Sequence, residues 1–375
     1  MDFRSLLKLM VHKEASDLFI TAGVPPSIKV HGTISQVSKT SLTQTDARDL
    51  VESVMTTAQR EEFARTKECN FAISSAGIGR FRVSAFVQRD SAGMVIRRIN
   101  TQIPTFEELE LPGVVAEFSL LKRGVVMFVG PTGSGKSTSL AAMIGYRNEH
   151  STGHIISIED PIEYIHQHRQ CIVTQREVGL DTATYEVALK NTLRQAPDVI
   201  LIGEVRTRET MEHAIAFAET GHLVLTTLHA NNANQAMDRI INFFPEDRRD
   251  QLLLDLSLNM RAIVAQQLLP RADDRGRIPA VEILINTPFA ADLVRKNEIT
   301  KLKELMKRST EHGMQTFDQS LVELFRRGAV TYEDALKHAD SSNDVRLMIK
   351  LGHDGRQDRF SARLQDAEVV EHEDY

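Results

Sequence analysis

The chain has 375 residues, 42% of them hydrophobic, and a formal net charge of −6. This length and composition suffice for two or three domains with sizeable cores, and the acidic balance gives no electrostatic footprint for nucleic acid. The two cysteines, Cys69 and Cys171, form no CxxC pair, so we expect neither a disulfide framework nor a zinc site.

The N-terminal residues do not have the pattern of a signal peptide. Asp2, Arg4 and Lys8 interrupt the apolar residues that such a peptide would need. No apolar run approaches the roughly 18 residues required to span a bilayer. We therefore expect a soluble protein of a reducing compartment.

The first block, residues 1–100, mixes helix-like and strand-like patterns. Its predicted elements are a helix from Phe3 to His12, strands from Asp17 to Thr21, Arg80 to Gln88 and Met94 to Ile99, and a helix from Asp46 to Met55 that Thr43 opens. This mixture predicts a small α+β domain. Pro104 and Pro112, in the acidic stretch TQIPTFEELELPG, then mark a linker over residues 101–113.

The second block, residues 114–350, has the pattern of an α/β domain. Strand-like runs GVVMFVG, HIISIED, DVILIGE and HLVLTTL alternate with helical segments. The alternation predicts βαβ units and a parallel sheet with helices on both faces. Beyond residue 246 we expect helices, beginning with a long one from Asp247 to Leu269. Residues 351–375 are acidic and poor in apolar side chains, which predicts a disordered tail.

The segment GPTGSGKST, residues 130–138, matches the phosphate-loop pattern G-x-x-x-x-G-K-[ST] and lies between an apolar strand and a helix. Its glycines let successive backbone N–H groups face phosphate oxygens, and the helix N-terminus adds partial positive charge. Lys136 would reach the β- and γ-phosphates of ATP, and Ser137 would ligate Mg²⁺. The alternative is a glycine-rich turn without a ligand. The expected nucleotide-binding residues are Gly130, Pro131, Thr132, Gly133, Ser134, Gly135, Lys136, Ser137 and Thr138.

Two acidic clusters follow predicted strands. DVILIGE ends on Glu204 like a Walker B segment, although such strands usually carry Asp. IEDPIEY places Glu159, Asp160 and Glu163 at another strand end, where an open α/β sheet binds its ligand. One carboxylate must orient or deprotonate the attacking water, while another works through the metal. The spacing does not decide which carboxylate is the base, and either cluster alone could be a solvated turn.

Two histidines flank the run GHLVLTTLHA. His222 and His229 are expected at opposite ends of one buried strand. Histidines at strand edges are commonly structural, and no third ligand accompanies these two, so we do not expect them to bind a metal. A role in sensing the γ-phosphate cannot be deduced from the spacing.

In combination, GPTGSGKST, IEDPIEY, LRQAPDVILIGEVR and GHLVLTTLHA resemble the Walker A, Asp-box, Walker B and His-box motifs of the secretion/pilus ATPase superfamily. The stretch ASDLFITAGVPPSIKVHG is similar to the start of type IV pilus retraction ATPases of the PilT/PilU family. The resemblance extends over about residues 1–345. It implies a PAS-like N-terminal domain, a RecA-like ATPase domain, and a hexameric ring that hydrolyses ATP between subunits.

The resemblance also implies roles for single residues. Lys136, Ser137 and Thr138 match residues that bind phosphate and Mg²⁺. Glu163 matches the Asp-box glutamate that serves as general base, and Glu204 matches the Walker B glutamate, which acts beside the metal.

Further implied roles concern histidines and arginines. His222 and His229 match the His-box histidines. Arg82 in FRVSAF and Arg97 in MVIRR match N-domain arginines that reach a bound nucleotide as arginine fingers. From composition alone, both arginines would be surface charges on β-strands.

Departures from the family pattern indicate a branch. Assembly and secretion members have a long N-terminal extension and a four-cysteine zinc loop, and this chain has neither, which favours retraction. PilT-type retraction ATPases commonly read GEMRD and carry an AIRNLIRE-like motif, whereas this chain reads GEVRT, with Thr207, and FAADLVRKNE. Together with the acidic tail, these departures favour the PilU branch and an accessory role in retraction.

The resemblance further implies a cytoplasmic protein, peripherally associated with the inner membrane through its partners. Those partners are a PilT-like retraction ATPase and the inner-membrane pilus platform protein. Two alternatives stay open: a nucleotide-binding ring subunit that acts mainly as a scaffold, and a pilus assembly or type II secretion ATPase. A nucleic-acid translocase of RecA type has no support from the charge, and the LSGGQ-like signature of an ABC ATPase is absent from the sequence.

Overall fold

The computed structural model describes residues 2–30, 32–99 and 101–351. It divides the chain into two compact units, each built from several segments. The first unit is Met1–Glu108, Val115–Val125 and Ser137–Thr227, and the second is Leu109–Val114, Val126–Lys136 and Leu228–Tyr375. The domain limits expected from the sequence stay a prediction. The expected tail lies outside the described residues, apart from Leu351 at the end of a helix.

The first unit begins with an antiparallel sheet and its helices. In chain order the elements are α1 (Phe3–His12), β1 (Asp17–Ile20), β2 (Ser27–Val30), β3 (Thr33–Gln36), α2 (Gln44–Ser53), α3 (Thr57–Thr66), β4 (Glu68–Ser75), β5 (Gly79–Gln88) and β6 (Ser91–Arg98). The sheet has the strand order β3-β2-β1-β6-β5-β4. The predicted α1, β1, β5 and β6 are confirmed, and Thr43 forms a capping box with Asp46 at the start of α2. Leu6, Phe71 and Phe81 are buried in the core of this sheet.

The segment after β6 contains more helix than the predicted linker would suggest. It holds α4 (Phe106–Leu109) and α5 (Gly113–Ser119), and strand β7 (Gly124–Val129) follows them. Phe106 and Val115 are buried. Apolar side chains at these positions give the short helices a face to bury, which is why the proline-flanked stretch folds locally.

The later part of the first unit is built on parallel strands. Its elements are α6 (Lys136–His150), β8 (Gly153–Glu159), β9 (Cys171–Glu177), α7 (Tyr185–Thr192), a 3₁₀ turn at Leu193–Gln195, β10 (Val199–Ile202), α8 (Arg208–Glu219) and β11 (Leu223–Leu228). The strand order is β11-β10-β8-β9. The predicted β8, β10 and β11 are confirmed, and β10 and β11 are buried along their whole length. β9 was not predicted.

The second unit is mostly helical around an antiparallel pair of strands. Its elements are α9 (Ala233–Asn242), α10 (Glu246–Asn259), β12 (Met260–Pro270), β13 (Arg277–Ile285), α11 (Pro288–Arg295), α12 (Leu302–Arg308), α13 (Phe317–Arg326), α14 (Tyr332–Lys337) and α15 (Ser342–Leu351), with 3₁₀ turns at Ile299–Lys301 and Thr310–His312. Of the helices in the described residues, none combines the length and apolar character that a membrane crossing needs.

The long helix predicted from Asp247 to Leu269 is wrong. α10 ends at Asn259, and the chain continues as β12, which pairs antiparallel with β13 from Ala262 to Pro270. The run that begins at Met260 is almost continuously apolar, and such a run fits a buried strand as well as a buried helix. The second unit therefore contains an antiparallel pair of strands, which the predicted parallel sheet did not include.

Glu282 on β13 places a carboxylate in the core of the second unit. The residue is 1% exposed and accepts a hydrogen bond of 2.9 Å from the backbone N–H of Ala233, the first residue of α9. A helix start leaves such N–H groups without intrahelical partners, so Glu282 fixes where α9 begins. Burial raises the pKa of Glu282 from its usual 4.5 to about 7.

Glu282→Gln is expected to change how stability depends on pH. Because the folded-state pKa lies above the unfolded-state value, the wild type loses stability as pH rises from about 4.5 to about 7. The glutamine keeps an acceptor for the Ala233 N–H but does not titrate. In urea titrations, the free energy of unfolding of the variant relative to the wild type should therefore rise by about 2 kcal/mol from pH 5 to pH 8. A pH-independent difference would contradict this account.

Candidate active site

The predicted phosphate loop connects β7 to α6. Gly130, Gly133 and Gly135 have positive φ angles of 157°, 79° and 87°. A Cβ atom on Gly135 would lie 2.7 Å from Nε2 of Gln266, and one on Gly130 would overlap the main-chain oxygen of Gln266. Glycine is therefore needed at these two positions for space as well as for conformation.

Gln266 lies on β12 and forms a hydrogen bond with the loop. Its side chain is buried, and Nε2 donates a hydrogen bond of 2.8 Å to the main-chain oxygen of Ser134. The bond fixes one carbonyl of the loop. Sequence reasoning missed Gln266, because its strand was predicted as helix. The only signal was a pair of glutamines in an apolar run.

Lys136 closes the cradle with its ammonium group. The residue is 8% exposed, and Nζ donates to the main-chain oxygens of Gly130 at 2.8 Å and Pro131 at 2.9 Å. The Oγ of Ser134 is buried and has no hydrogen-bond partner within the described part of the chain. A buried ammonium together with a buried hydroxyl that has no described hydrogen-bond partner fits an anionic ligand.

The first turn of α6 contacts the Asp-box segment. Ser137 and Thr138 are half-buried there, and Oγ1 of Thr138 lies 3.0 Å from the hydroxyl of Tyr164. Tyr164 directly follows Glu163, so this contact brings the predicted Mg²⁺ ligand Ser137 towards the predicted base. Glu163 itself is exposed.

Strand ends bring the acidic residues to one edge of the parallel sheet. The Gly203 N–H donates to the main-chain oxygen of Ile158 at 2.8 Å, which joins the end of β10 to the end of β8. Glu159 is the last residue of β8, and Glu204 lies two residues beyond Ile202, the last residue of β10. The Glu204 carboxylate, 15% exposed, accepts a hydrogen bond of 2.8 Å from Nε of Arg206.

Glu159 differs from the other acidic residues in its surroundings. Its carboxylate accepts hydrogen bonds from Oγ of Ser157 at 2.6 Å and Nε2 of Gln175 at 3.2 Å. Burial nevertheless raises the pKa of Glu159 to about 7. A carboxylate that titrates near neutrality at a strand end is a common feature of active sites. Sequence spacing could place Glu159 in the cluster but could not reveal this shift.

The two histidines lie at opposite ends of β11, as predicted. His222 precedes the strand, and its Nδ1 lies 3.1 Å from the main-chain oxygen of Phe217 and from Oγ1 of Thr220. In a parallel sheet this end is opposite to the edge that holds Glu204. His229 follows the strand and lines a pocket of about 680 Å³ in the second unit together with Pro131, Asn231, Gln235 and Arg239.

The two arginines are cross-strand neighbours on β5 and β6. Nε of Arg82 lies 3.8 Å from Oε1 of Glu177, the last residue of β9. Nε of Arg97 donates to Oδ1 of Asp17 at 2.8 Å. Each arginine thus faces a carboxylate of its own chain, and sequence reasoning had singled out neither Glu177 nor Asp17. In the described residues, no group of three or more His, Cys, Asp and Glu side chains is placed to hold a metal ion.

A family model described as type II/IV secretion system protein matches residues 4–337. The chain is similar to the type IV pilus ATPase PilU of Pseudomonas aeruginosa, with 67% identity over 365 residues, which cover 97% of this chain and 96% of that one. It is also similar to the type IV pilus retraction ATPase PilT of the same organism, with 39% identity over 339 residues, or 90% and 98% of the two chains.

The fold has a close match among solved structures. The crystal structure of the pilus retraction motor PilT with bound ADP matches with a TM-score of 0.87 and 39% identity. The match covers 93% of this chain and 100% of that chain. The α/β architecture of mixed sheets and helices therefore matches that of PilT.

Gly130→Ala and Gly133→Ala are expected to lower the free energy of unfolding by different amounts. At either position alanine would carry backbone strain of about 1–2 kcal/mol. At Gly130 its methyl group would also overlap Gln266 and Ser134, whereas at Gly133 no described atom outside the two neighbouring residues lies within 4 Å of it. In urea titrations without nucleotide, Gly130→Ala should lose at least about 2 kcal/mol more free energy of unfolding than Gly133→Ala. Equal losses would show that β12 does not constrain the loop.

Proposed function

Because the chain belongs to the type II/IV secretion system protein family, we propose that it is an ATP-hydrolysing motor that assists the retraction of type IV pili. One observation carries the proposal. The loop between β7 and α6 holds a buried ammonium, Lys136, and a buried Ser134 hydroxyl without a described hydrogen-bond partner, in a chain that is similar to a type IV pilus ATPase over nearly its whole length.

ATP would bind along the loop, with Lys136 at its β- and γ-phosphates. The backbone N–H groups and the start of α6 favour the negative charge of the phosphates. Ser137 and Glu204 would hold Mg²⁺, which when bound neutralises charge on the phosphate oxygens. The remaining loop residues that would contact the nucleotide are Gly130, Pro131, Thr132, Gly133, Ser134, Gly135 and Thr138.

Glu163 would accept the proton of the attacking water. It is exposed in the segment that follows β8, which suits this role, because water and substrate must reach a general base. Glu159, with its raised pKa, is the second carboxylate available in the same segment. His229, beside Pro131, would respond to the γ-phosphate, and His222 would act indirectly by fixing the other end of β11.

The working form would be a hexameric ring with ATP between subunits. Arg82 and Arg97 would then act as arginine fingers on the nucleotide of a neighbouring subunit. Their side chains are 30% and 71% exposed, which leaves both accessible at the surface of their sheet. In finer terms, the sheet β1–β6 with its helices would be a PAS-like domain, and the strands from β7 onward a RecA-like ATPase domain.

The motor would act in the cytoplasm at the inner-membrane base of the pilus. It would work with a PilT-like ATPase and the pilus platform protein, and would touch the membrane only through such partners. The support is its similarity to PilU and PilT.

The accessory role rests on the segment FAADLVRKNE. Most of it forms α11, where Phe289 is 59% exposed and could contact a partner. Thr207 gives weaker support, because it is the N-cap of α8 and accepts a hydrogen bond from the Thr210 N–H. Asp, which PilT-type sequences carry there, caps helices equally well.

Pilus retraction force measured in four strains tests this function. The strains carry this chain with a PilT-like motor, each motor alone, and the PilT-like motor with Lys136→Ala in this chain. Lys136→Ala removes the ammonium that offsets phosphate charge, so the purified variant should lose ATP turnover. We expect lower force with Lys136→Ala than with both intact motors, and little retraction by this chain alone.

Other outcomes would support other functions. Unchanged force with Lys136→Ala would show that ATP bound here is not spent on retraction, and would favour a scaffolding ring subunit. Strong retraction by this chain alone would contradict the accessory role. Loss of assembled pili on deletion of this chain would favour an assembly or secretion ATPase.

A further inference from the structure

We propose that Glu177 is a positioning residue, which ties Arg82 of the N-terminal sheet to the Asp-box segment, residues 159–164, and thereby holds Glu163 in place for ATP hydrolysis. The inference rests on the proposed function, since it uses the roles given there to Arg82 and Glu163. Glu177 ends β9 directly opposite Glu159, the last residue of β8.

The two oxygens of the Glu177 carboxylate face two different parts of the chain. Oε2 accepts a hydrogen bond of 3.2 Å from the backbone N–H of Ile162, the residue before Glu163. Oε1 has no hydrogen-bond partner in the described residues, and Nε of Arg82 lies 3.8 Å from it. One side chain therefore contacts both the Asp-box segment and the arginine.

Because Glu177 is buried, the nearby charge of Arg82 affects the free energy of its carboxylate. The residue is 1% exposed, and a buried carboxylate without a nearby cation is costly. Burial raises the pKa of Glu177, while the charges of Arg82 and Arg80 act in the opposite direction. Removing Arg82 would take away the larger of these two compensating charges, so the two side chains are energetically coupled.

The backbone around Glu177 is fixed as well. Its N–H donates to Oδ2 of Asp181 at 2.9 Å, and its main-chain oxygen accepts from the N–H of Asp181 at 2.8 Å. Leu180, within this turn, packs against the hydrophobic core of the N-terminal sheet. Glu177 is therefore a rigid point between that sheet and the Asp box. Such a rigid support matters for a general base, because small displacements of catalytic groups lower the reaction rate strongly.

A double-mutant cycle of Glu177→Gln and Arg82→Ala tests this role. The glutamine keeps an oxygen for the Ile162 N–H but loses the charge that holds Arg82. We expect kcat for ATP hydrolysis to fall about tenfold, with the Kd of a fluorescent ATP analogue within about twofold of wild type, since the phosphate loop is untouched. In the Arg82→Ala background, Glu177→Gln should change kcat by less than about twofold.

Glu282→Gln is the matched control, because Glu282 is also a buried glutamate that accepts one backbone N–H. It should leave kcat within about twofold of its parent in both backgrounds. If the wild type hydrolyses ATP but the effects of Glu177→Gln and Arg82→Ala on kcat are additive, the positioning role is overturned and the proposed function is not. Equal losses of kcat and nucleotide affinity would also overturn it, because they would show that the substitution had disrupted the fold as a whole. A wild-type chain without ATP turnover would refute the proposed function and the positioning role together.

Discussion

The phosphate loop depends on the contact with Gln266. The side-chain amide of Gln266 donates to the Ser134 carbonyl, and its main-chain oxygen occupies the space that a side chain at Gly130 would need. β12 thus constrains the shape of the loop through contacts within the second unit. A loop held in advance does not have to be ordered by the ligand, and binding energy is not lost to that ordering.

Lys136 shows what the prepared loop offers to a nucleotide. Its ammonium donates to two carbonyl oxygens of the loop itself, and phosphate oxygens are stronger acceptors because they are charged. In the first unit, the ends of β8 and β10 meet through the Gly203 N–H, and Thr138 contacts the Asp-box segment at Tyr164. Residues far apart in sequence are therefore brought together by one backbone contact at strand ends and one side-chain contact from α6, and an open α/β sheet commonly binds its ligand at such strand ends.

Sequence reasoning succeeded where a pattern has one structural meaning. The phosphate loop and the strands β8, β10 and β11 followed from glycine spacing and from apolar runs that alternate with helical segments. It failed at β12, because a mainly apolar run is compatible with a strand as well as with a helix. Here the pairing with β13 determines that the run is a strand. Gln266 and Glu177 were missed for a related reason: their roles depend on contacts across more than 90 residues of sequence, 132 for Gln266 to Ser134 and 95 (177 − 82) for Glu177 to Arg82. The spacing of neighbouring residues in the sequence does not reveal such contacts.

Nucleotide affinity of Gln266→Leu tests the dependence of the loop on β12 most directly. Leucine keeps the volume but removes the donor to the Ser134 carbonyl, and Gln267→Leu is the control because Gln267 donates instead to the His338 carbonyl. For a fluorescent ATP analogue, Gln266→Leu should weaken Kd about tenfold, the worth of one buried hydrogen bond, and Gln267→Leu should stay within about twofold of wild type. Equal affinities in two folded variants, as judged by circular dichroism, would contradict a loop held by Gln266.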